Sequence, residues 1–339
     1  MQITTLGIDL AKSVFQLHGV DAVGAVVLQK KLRRGAVLNF LGKLEPCLIG
    51  LEACATSQYW AREIGALGHE VRLIPPAYVK PYVKRQKNDA ADAEAICEAV
   101  TRPNMRFVPV KCAERQGVLV LHRTRDLLIR QRTMMLNAIR GHLAEFGVIA
   151  AQGPRNVMGL IAQIREDRLE LPDIARSALL GLIAQLESLA DEIRLLEHRL
   201  MAWYREDETS QRLQTIPGIG IITATALSAS VPEPSIFKSG RQFAAFLGLV
   251  PRQNSSGGKD KLGRISKMGN GYLRRLLVIG ATSVIRRVRT NDTATGAWVR
   301  SLLERKPARV TTVAMANKTA RIAWAVLARG ETYHPPMAA

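Results

Sequence analysis

Apolar and polar positions change period twice along this chain. Over the first hundred residues they form short β-type runs. Gln2–Asp9 ends on an acid, Ser13–Val20 follows, and Gly24–Leu32 comes after a short turn at Asp21. These three runs predict an antiparallel meander. Gly35–Leu44 has helical spacing and stops at Pro46, and Cys47–Leu51 is a short apolar strand followed by Glu52. Thr56–Leu67 predicts a helix closed by Gly68, His69–Ile74 a fifth strand ended by Pro75 and Pro76, and Lys87–Glu94 the opening of a further helix. The order is mixed α/β with acids at strand ends, where open sheets usually place their chemistry. From residue 113 the period becomes helical. Ala113–Phe146 reads as one long helix, residues 147–177 (Gly153-Pro154, Pro172) as a connection, and Ala178–Tyr204 as a second long helix. In that helix Leu179, Leu182, Leu186, Leu189, Ile193, Leu196, Leu200 and Trp203 alternate by three and four, a heptad seam suited to a dimer or to an intrachain hairpin. Three more helices are predicted at Tyr272–Val288, Thr293–Glu304 and Thr311–Ala328, before a disordered end. The chain thus divides into an α/β segment at 1–110, a helical coiled-coil segment at 111–208, a mostly α segment at 209–330 and a tail at 331–339.

Charge adds a partner to this picture. The 339 residues carry a net charge of +19, which favours a polyanion. Residues 251–330 hold 17 Lys and Arg against three acids, so +14 of the excess lies there. Basic residues spread over several elements point to nucleic acid rather than a membrane surface. Cys47, Cys54, Cys97 and Cys112 form no CxxC or zinc spacing, the pattern of a reduced cytoplasmic chain. No leader or long apolar span is predicted.

Four carboxylates are candidates for chemistry. Asp9 and Glu52 each follow a strand, while Asp89 and Asp92 lie three apart at a helix start and project from one face. If strands one and four are neighbours, the acidic helix face lies over Asp9 and Glu52. Four carboxylates around one or two Mg²⁺ ions polarise a phosphoryl group and activate an oxygen nucleophile. The plainer reading makes Asp9 a turn acid, Glu52 a capping acid, and Asp89 and Asp92 first-turn residues favoured by the helix dipole. Gly7–Lys12 also resembles the first phosphate loop of actin-like kinases, but no later Gly-rich adenosine loop follows.

Two further stretches face phosphate. Pro217-Gly218-Ile219-Gly220 between two helices looks like a helix-hairpin-helix module, with Gly218 and Gly220 exposing backbone N–H groups; a plain glycine turn is the alternative. Leu247–Lys259 presents Ser255 and Ser256 on a flexible loop among Arg252, Lys259, Lys261, Arg264 and Lys267. It lacks the spacing of a Walker loop, and from the residues alone it is a phosphate-binding loop first. A nucleophilic serine needs a base or a metal, and no histidine is near in sequence. Trp298 and Trp324 suit either nucleic-acid grooves or helix packing. The arginines of 113–146 suit either a phosphate backbone or a solvated face.

The order Gly7-Ile8-Asp9-Leu10-Ala11-Lys12, Leu51-Glu52-Ala53-Cys54 and Lys87–Glu94 resembles transposases of the insertion-sequence 110 class, in the DEDD-type, IS1111-like subgroup. The block from Ile216 through Ser256 to Lys267–Asn270 and Leu273-Arg274-Arg275 is similar to the second domain of that class. The resemblance implies an N-terminal ribonuclease H-like (RuvC-like) α/β domain, a coiled-coil region and a mostly α C-terminal domain with a helix-hairpin-helix-like motif. It implies a Mg²⁺-binding tetrad of Asp9, Glu52, Asp89 and Asp92, with Ser256 as the nucleophile that becomes a DNA phosphoserine; Ser255 is one residue away. Gly218, Gly220, Arg252, Lys259, Lys261, Arg264, Lys267, Arg274 and Arg275 would meet nucleic acid. The implied partners are donor and target DNA, a structured bridge RNA and further copies of the chain, dimers assembling to a tetramer with composite active sites. The implied setting is the bacterial cytoplasm, at the nucleoid. Two rivals are a RuvC-like junction endonuclease using activated water and a non-catalytic nucleic-acid scaffold.

Overall fold

The computed structural model describes residues 2–84, 88–288 and 293–335. Lys87, which opens the acidic motif, and the last four residues of the tail lie outside the described residues. The chain forms two compact units, Met1–Arg115 with Ser230–Lys238, and Gln116–Ala229 with Ser239–Ala339.

The first unit is built on β1 (Thr5–Asp9), β2 (Val14–Val20), β3 (Val26–Arg33), β4 (Leu48–Glu52) and β5 (Glu70–Ile74), in the order β3-β2-β1-β4-β5. β1–β2 and β2–β3 pair antiparallel, as the short turn at Asp21 predicts; β1–β4 and β4–β5 pair parallel. The helices are α1 (Val37–Leu41), α2 (Ser57–Ala66), α3 (Pro76–Val79) and α4 (Asp89–Val100). The helix expected over Gly35–Leu44 is only the short α1 behind a 3₁₀ turn at Arg34–Ala36.

Alternation along the strands decides the two faces. Leu6, Ile8, Phe15, Leu17, Ile49 and Leu51 pack with Trp60 and Ile64 of α2. Phe15 and Trp60 meet edge-on, with ring centroids 4.8 Å apart. Thr5, Gly7 and Asp9 turn to the opposite face, which α4 covers. Two glycines set that seat. A Cβ on Gly7 would lie 2.2 Å from the Ala93 carbonyl oxygen and 2.4 Å from the Cys97 nitrogen; one on Gly50 would lie 2.9 Å from the Val100 Cβ. Backbone therefore rests on backbone, and the helix runs against β1 with its N-terminal turn at the Asp9 end.

The second unit holds most of α5 (Ala113–Ala144), then α6 (Pro154–Arg165), α7 (Asp173–Glu206), α8 (Glu208–Gln214), α9 (Ile221–Ser230), α10 (Gly240–Phe246), α11 (Gly271–Arg287), α12 (Ala294–Arg305) and α13 (Ala308–Arg329). α5 and α7 form an antiparallel hairpin. Val118 meets Leu200 at one end, and Leu136, Ile139 and Leu143 meet Leu179, Ile183 and Leu186 at the other. The leucine seam is therefore used within the chain. Arg125 on α5 also pairs with Glu197 on α7 at 2.5 Å. The expected connection at 147–177 instead contains α6, whose Val157, Ile161 and Ile164 join this core. Gly153 is the N-cap of α6 with proline in its first turn, and Pro172 is the N-cap of α7. These residues start helices rather than break one. α13 touches α8, α10, α11 and α12.

His122 ties three helices of this unit. Its Nδ1 lies 3.0 Å from the Tyr272 hydroxyl on α11, and its Nε2 lies 3.1 Å from Thr225 Oγ1 on α9. Burial, with some help from Arg125, pushes its pKa down to about 4. The folded state thus holds a neutral imidazole, whereas the unfolded chain protonates near pH 6.5. This contribution is complete above pH 6.5 and is lost as pH falls toward 4, by up to about 3 kcal/mol. Urea unfolding between pH 7 and pH 4.5 is expected to show that loss, and His122→Gln is expected to flatten it.

Candidate active site

β1 and β4 run parallel with Ile8 opposite Leu51, which brings Asp9 and Glu52 to the same end of adjacent strands. They share the sheet face of Gly7 and Gly50, on which α4 rests. Asn88 is the N-cap of α4, its side chain accepting from the Ala91 N–H at 2.8 Å, so Asp89 and Asp92 occupy the first turn. Two of the four carboxylates thus end adjacent strands, and the other two open the helix that covers the same sheet face. Asp9, Glu52 and Asp92 are half-buried and Asp89 is exposed. The helix dipole favours the two aspartates in that turn whether or not a cation joins them.

An all-oxygen donor set of this kind suits a hard divalent cation. Among the described residues, no group of three or more His, Cys, Asp or Glu is drawn closely enough together to hold one. A neighbouring side chain nevertheless leaves room for a further donor. Gln16 is the antiparallel partner of Asp9 and therefore shares its face. It is only 7 % exposed, and its Oε1 lacks a hydrogen-bond partner. A buried amide oxygen without a donor is costly. A cation's bound water would supply that donor beside Asp9.

Charge around the edge is mixed. Glu94, on the same helix, accepts from Lys84 Nζ at 2.5 Å, and this bond holds its carboxyl below the usual range. His18 on β2 is held below its ordinary pKa by burial, against the pull of Glu94. Gln16, His18 and the Lys84–Glu94 pair were not among the predicted site residues. The signal for the first two was a period-two polar alternation inside the apolar run Val14–Val20.

The serine stretch is not a loose loop. β6 (Pro251–Gln253) and β7 (Leu262–Ile265) pair antiparallel, and Ser256 bridges to Lys259 across the tip. Gly257 and Gly258 have φ of +57° and +75°, the left-handed pair that a two-residue hairpin turn requires. The two hydroxyls differ. Ser255 Oγ donates to Asp260 Oδ1 at 3.2 Å and accepts from the Lys261 N–H and from Gln253 Nε2, each at 3.1 Å. The Ser256 hydroxyl has no partner among the described residues. The hairpin base is fixed by close backbone contact. A Cβ on Gly269 would fall 1.9 Å from the Phe246 carbonyl oxygen, and one on Gly248 would fall 2.3 Å from that of Met268.

The predicted phosphate contacts separate into two groups. Lys259, Lys261, Arg264 and Lys267 are exposed on the hairpin and its flank. Arg252 is also exposed, and its guanidinium donates to the Ser266 carbonyl at 3.3 Å. Arg274 instead spends its Nη1 on the carbonyls of Leu247 and Met268, at 2.9 and 3.0 Å. Arg275 pairs with Asp126 and lies over the Tyr272 ring. Gly218 packs on α11, where a Cβ on Gly280 would fall 1.9 Å from the Gly218 carbonyl oxygen. Gly220 faces open space just before α9.

Comparison with known proteins bears on both segments. Residues 6–147, which contain the four carboxylates, match the DEDD-type IS110 transposase model. Residues 210–295, which contain the hairpin, match the model described as "Transposase IS116/IS110/IS902 family". A Pseudomonas aeruginosa protein described as "Probable family 20 transposase" is 49% identical over 99% of this chain and 100% of its own length. The transposase for insertion sequence element IS1328 of Yersinia enterocolitica is 41% identical over 98% of each chain. That for element IS1111A of Coxiella burnetii is 40% identical over 98% of this chain and 91% of its own. No helix among the described residues is long and apolar enough to cross a membrane. With two family models spanning both halves of the chain and full-length relatives above 40% identity, the chain belongs to the IS110/IS116/IS902 family of insertion-element transposases.

Proposed function

We propose that this chain is the recombinase of a mobile element, which cuts and rejoins donor and target DNA through a phosphoserine at Ser256. The observation that supports this reading best is that Asp9 and Glu52 end adjacent parallel strands on the face α4 covers, with Asp89 and Asp92 in the first turn of that helix. The β3-β2-β1-β4-β5 order supports a ribonuclease H-like, RuvC-like reading of the N-terminal segment at 1–110. The α5–α7 hairpin is the coiled-coil segment at 111–208. The C-terminal segment at 209–330 carries the serine hairpin and the helix-hairpin-helix-like turn between α8 and α9.

Asp9, Glu52, Asp89 and Asp92 would hold one or two Mg²⁺ ions. When bound, Mg²⁺ neutralises charge on a phosphoryl group and lowers the pKa of an attacking hydroxyl. Ser256 Oγ attacks the phosphorus of a DNA phosphodiester. The Oγ–P bond forms as one P–O ester bond breaks, and the proton lost by the serine ends on the leaving oxygen. Attack by a hydroxyl from the other DNA partner then releases Ser256 and rejoins the strands. Lys259, Lys261, Arg264 and Lys267 hold the backbone and neutralise its charge. Sequence choice falls to a structured bridge RNA, and the acidic edge and serine hairpin are joined in dimers that assemble to a tetramer. The chain works in the bacterial cytoplasm on nucleoid DNA.

The test uses protein co-purified with RNA from its own element, labelled donor and target DNA, and Mg²⁺. A denaturation-resistant protein–DNA adduct is expected, absent in EDTA and reduced by about a thousand-fold or more in Asp9→Asn. Metal-dependent nicking without any adduct would overturn the serine reading in favour of a nuclease that activates water.

A further inference from the structure

A second feature of the C-terminal segment adjoins the base of the serine hairpin. α13 forms one wall of a cleft of about 1520 Å³, and the N-terminus of α10 and strand β7 contribute to its lining. The cleft is larger than the usual small-molecule pocket, which points to a segment of polymer. Its floor is apolar, with Val313, Ala314, Ile322 and Ala325, and it is flanked by half-buried Trp298 and Trp324.

The cleft is lined by Arg241, Arg264, Lys267, Arg309, Lys318 and Arg321, and by no Asp or Glu among the described residues. None of the six forms an ion pair among the described residues. Lys318 Nζ lies over the Trp298 ring at 4.5 Å. Burial and the neighbouring Arg321 hold the Lys318 ammonium below its ordinary pKa, so an anion placed here relieves an existing repulsion.

We infer that this cleft binds an unpaired polynucleotide strand, its phosphates on the cationic lining and a base stacked on Trp298. The inference rests on the proposed function and deepens it: the cleft shares Arg264 and Lys267 with the serine hairpin and carries the strand contact from there onto α13. Two features favour a single strand over a duplex. A base can reach a half-buried indole only when it is unstacked from a partner strand, and aromatic platforms beside cations are the usual means of holding such strands. Charge complementarity also disfavours an apolar protein segment, since six cations would then be buried without counter-charge.

The test measures binding of fluorescein-labelled dT12, rU12 and a 12-base-pair DNA duplex by anisotropy across a salt series, with protein freed of nucleic acid. The single strands are expected to bind more tightly than the duplex and to quench tryptophan fluorescence. Trp298→Ala is expected to weaken single-strand binding about ten-fold, Trp298→Phe to restore most of it, and Arg309→Ala with Arg321→Ala to flatten the salt slope. Preference for rU12 over dT12 would identify the strand as RNA, and the reverse as DNA. Thermal melts confirm that each variant is folded. Unchanged affinity in Trp298→Ala, equal binding of the duplex, or loss of self-association in Trp298→Ala with strand binding intact would overturn the inference. The adduct assay on the same variants separates the two readings. An adduct with Trp298-independent strand binding sinks only the cleft, and Trp298-dependent binding with no adduct sinks only the serine chemistry.

Discussion

Replacing Ser256 by alanine is expected to abolish the covalent protein–DNA adduct, whereas Ser255→Ala keeps it. The two serines are adjacent on the same hairpin and both exposed, so exposure does not choose between them. Hydrogen bonding does. Ser255 Oγ is bound to Asp260, Gln253 and the Lys261 amide and serves to brace the hairpin below its tip. An attack on phosphorus from there would require breaking that bracing. Ser256 stands at the first position of the Gly257-Gly258 turn with its hydroxyl unengaged among the described residues. Loss of a nucleophile is expected to cost about a thousand-fold or more in strand joining. Loss of a bracing hydroxyl is expected to cost less than about ten-fold. Gel analysis of trapped adducts for both variants checks this, and a Ser255→Ala protein without adduct beside an active Ser256→Ala would reverse the assignment.

The second large effect concerns a residue with no chemistry. Gly7→Val is expected to lower stability by about 3 kcal/mol or more, because the added Cβ meets backbone atoms of α4 that have nowhere to move. A Cβ there would sit 2.2 Å from the Ala93 carbonyl oxygen. Relief requires α4 to lift from the sheet, carrying Asp89 and Asp92 away from Asp9 and Glu52. Metal-dependent cleavage should therefore fall even in the fraction that stays folded. Gly65→Ala is the matched control, since Gly65 lies inside α2 with open space around it. It is expected to stabilise the protein by about 0.5–1 kcal/mol. Thermal melts of both variants, with Mg²⁺ titration of each, decide the point.

The acidic edge was legible because strand alternation and the helix start are local signals, and three of the four acids sit where such elements end or begin. Gln16 was less legible, since its meaning depends on β1 lying beside β2 and α4 lying above both. The hairpin at 251–265 reads as a loop in sequence because its strands are three and four residues long and nearly all their positions are exposed, leaving no apolar alternation. Gly153, Pro154 and Pro172 suggest a connection in sequence although each marks a helix start, a choice that spacing alone leaves open. Arg274 and Arg275 show what counting charge leaves out, since each also has partners within the chain. A guanidinium that closes a loop onto a helix looks the same in sequence as one that meets phosphate. The cleft around Trp298 draws on residues from 239 to 325, so no short motif announces it.

The position of α13 has a genetic consequence. Four helices, α8, α10, α11 and α12, share it as a packing partner, and all four precede it in the chain. A gene copy interrupted before codon 308 would leave all four without their common wall. Such a copy would not make a shorter enzyme with reduced range. It would be a dead allele despite retaining every codon for the four acids and for Ser256.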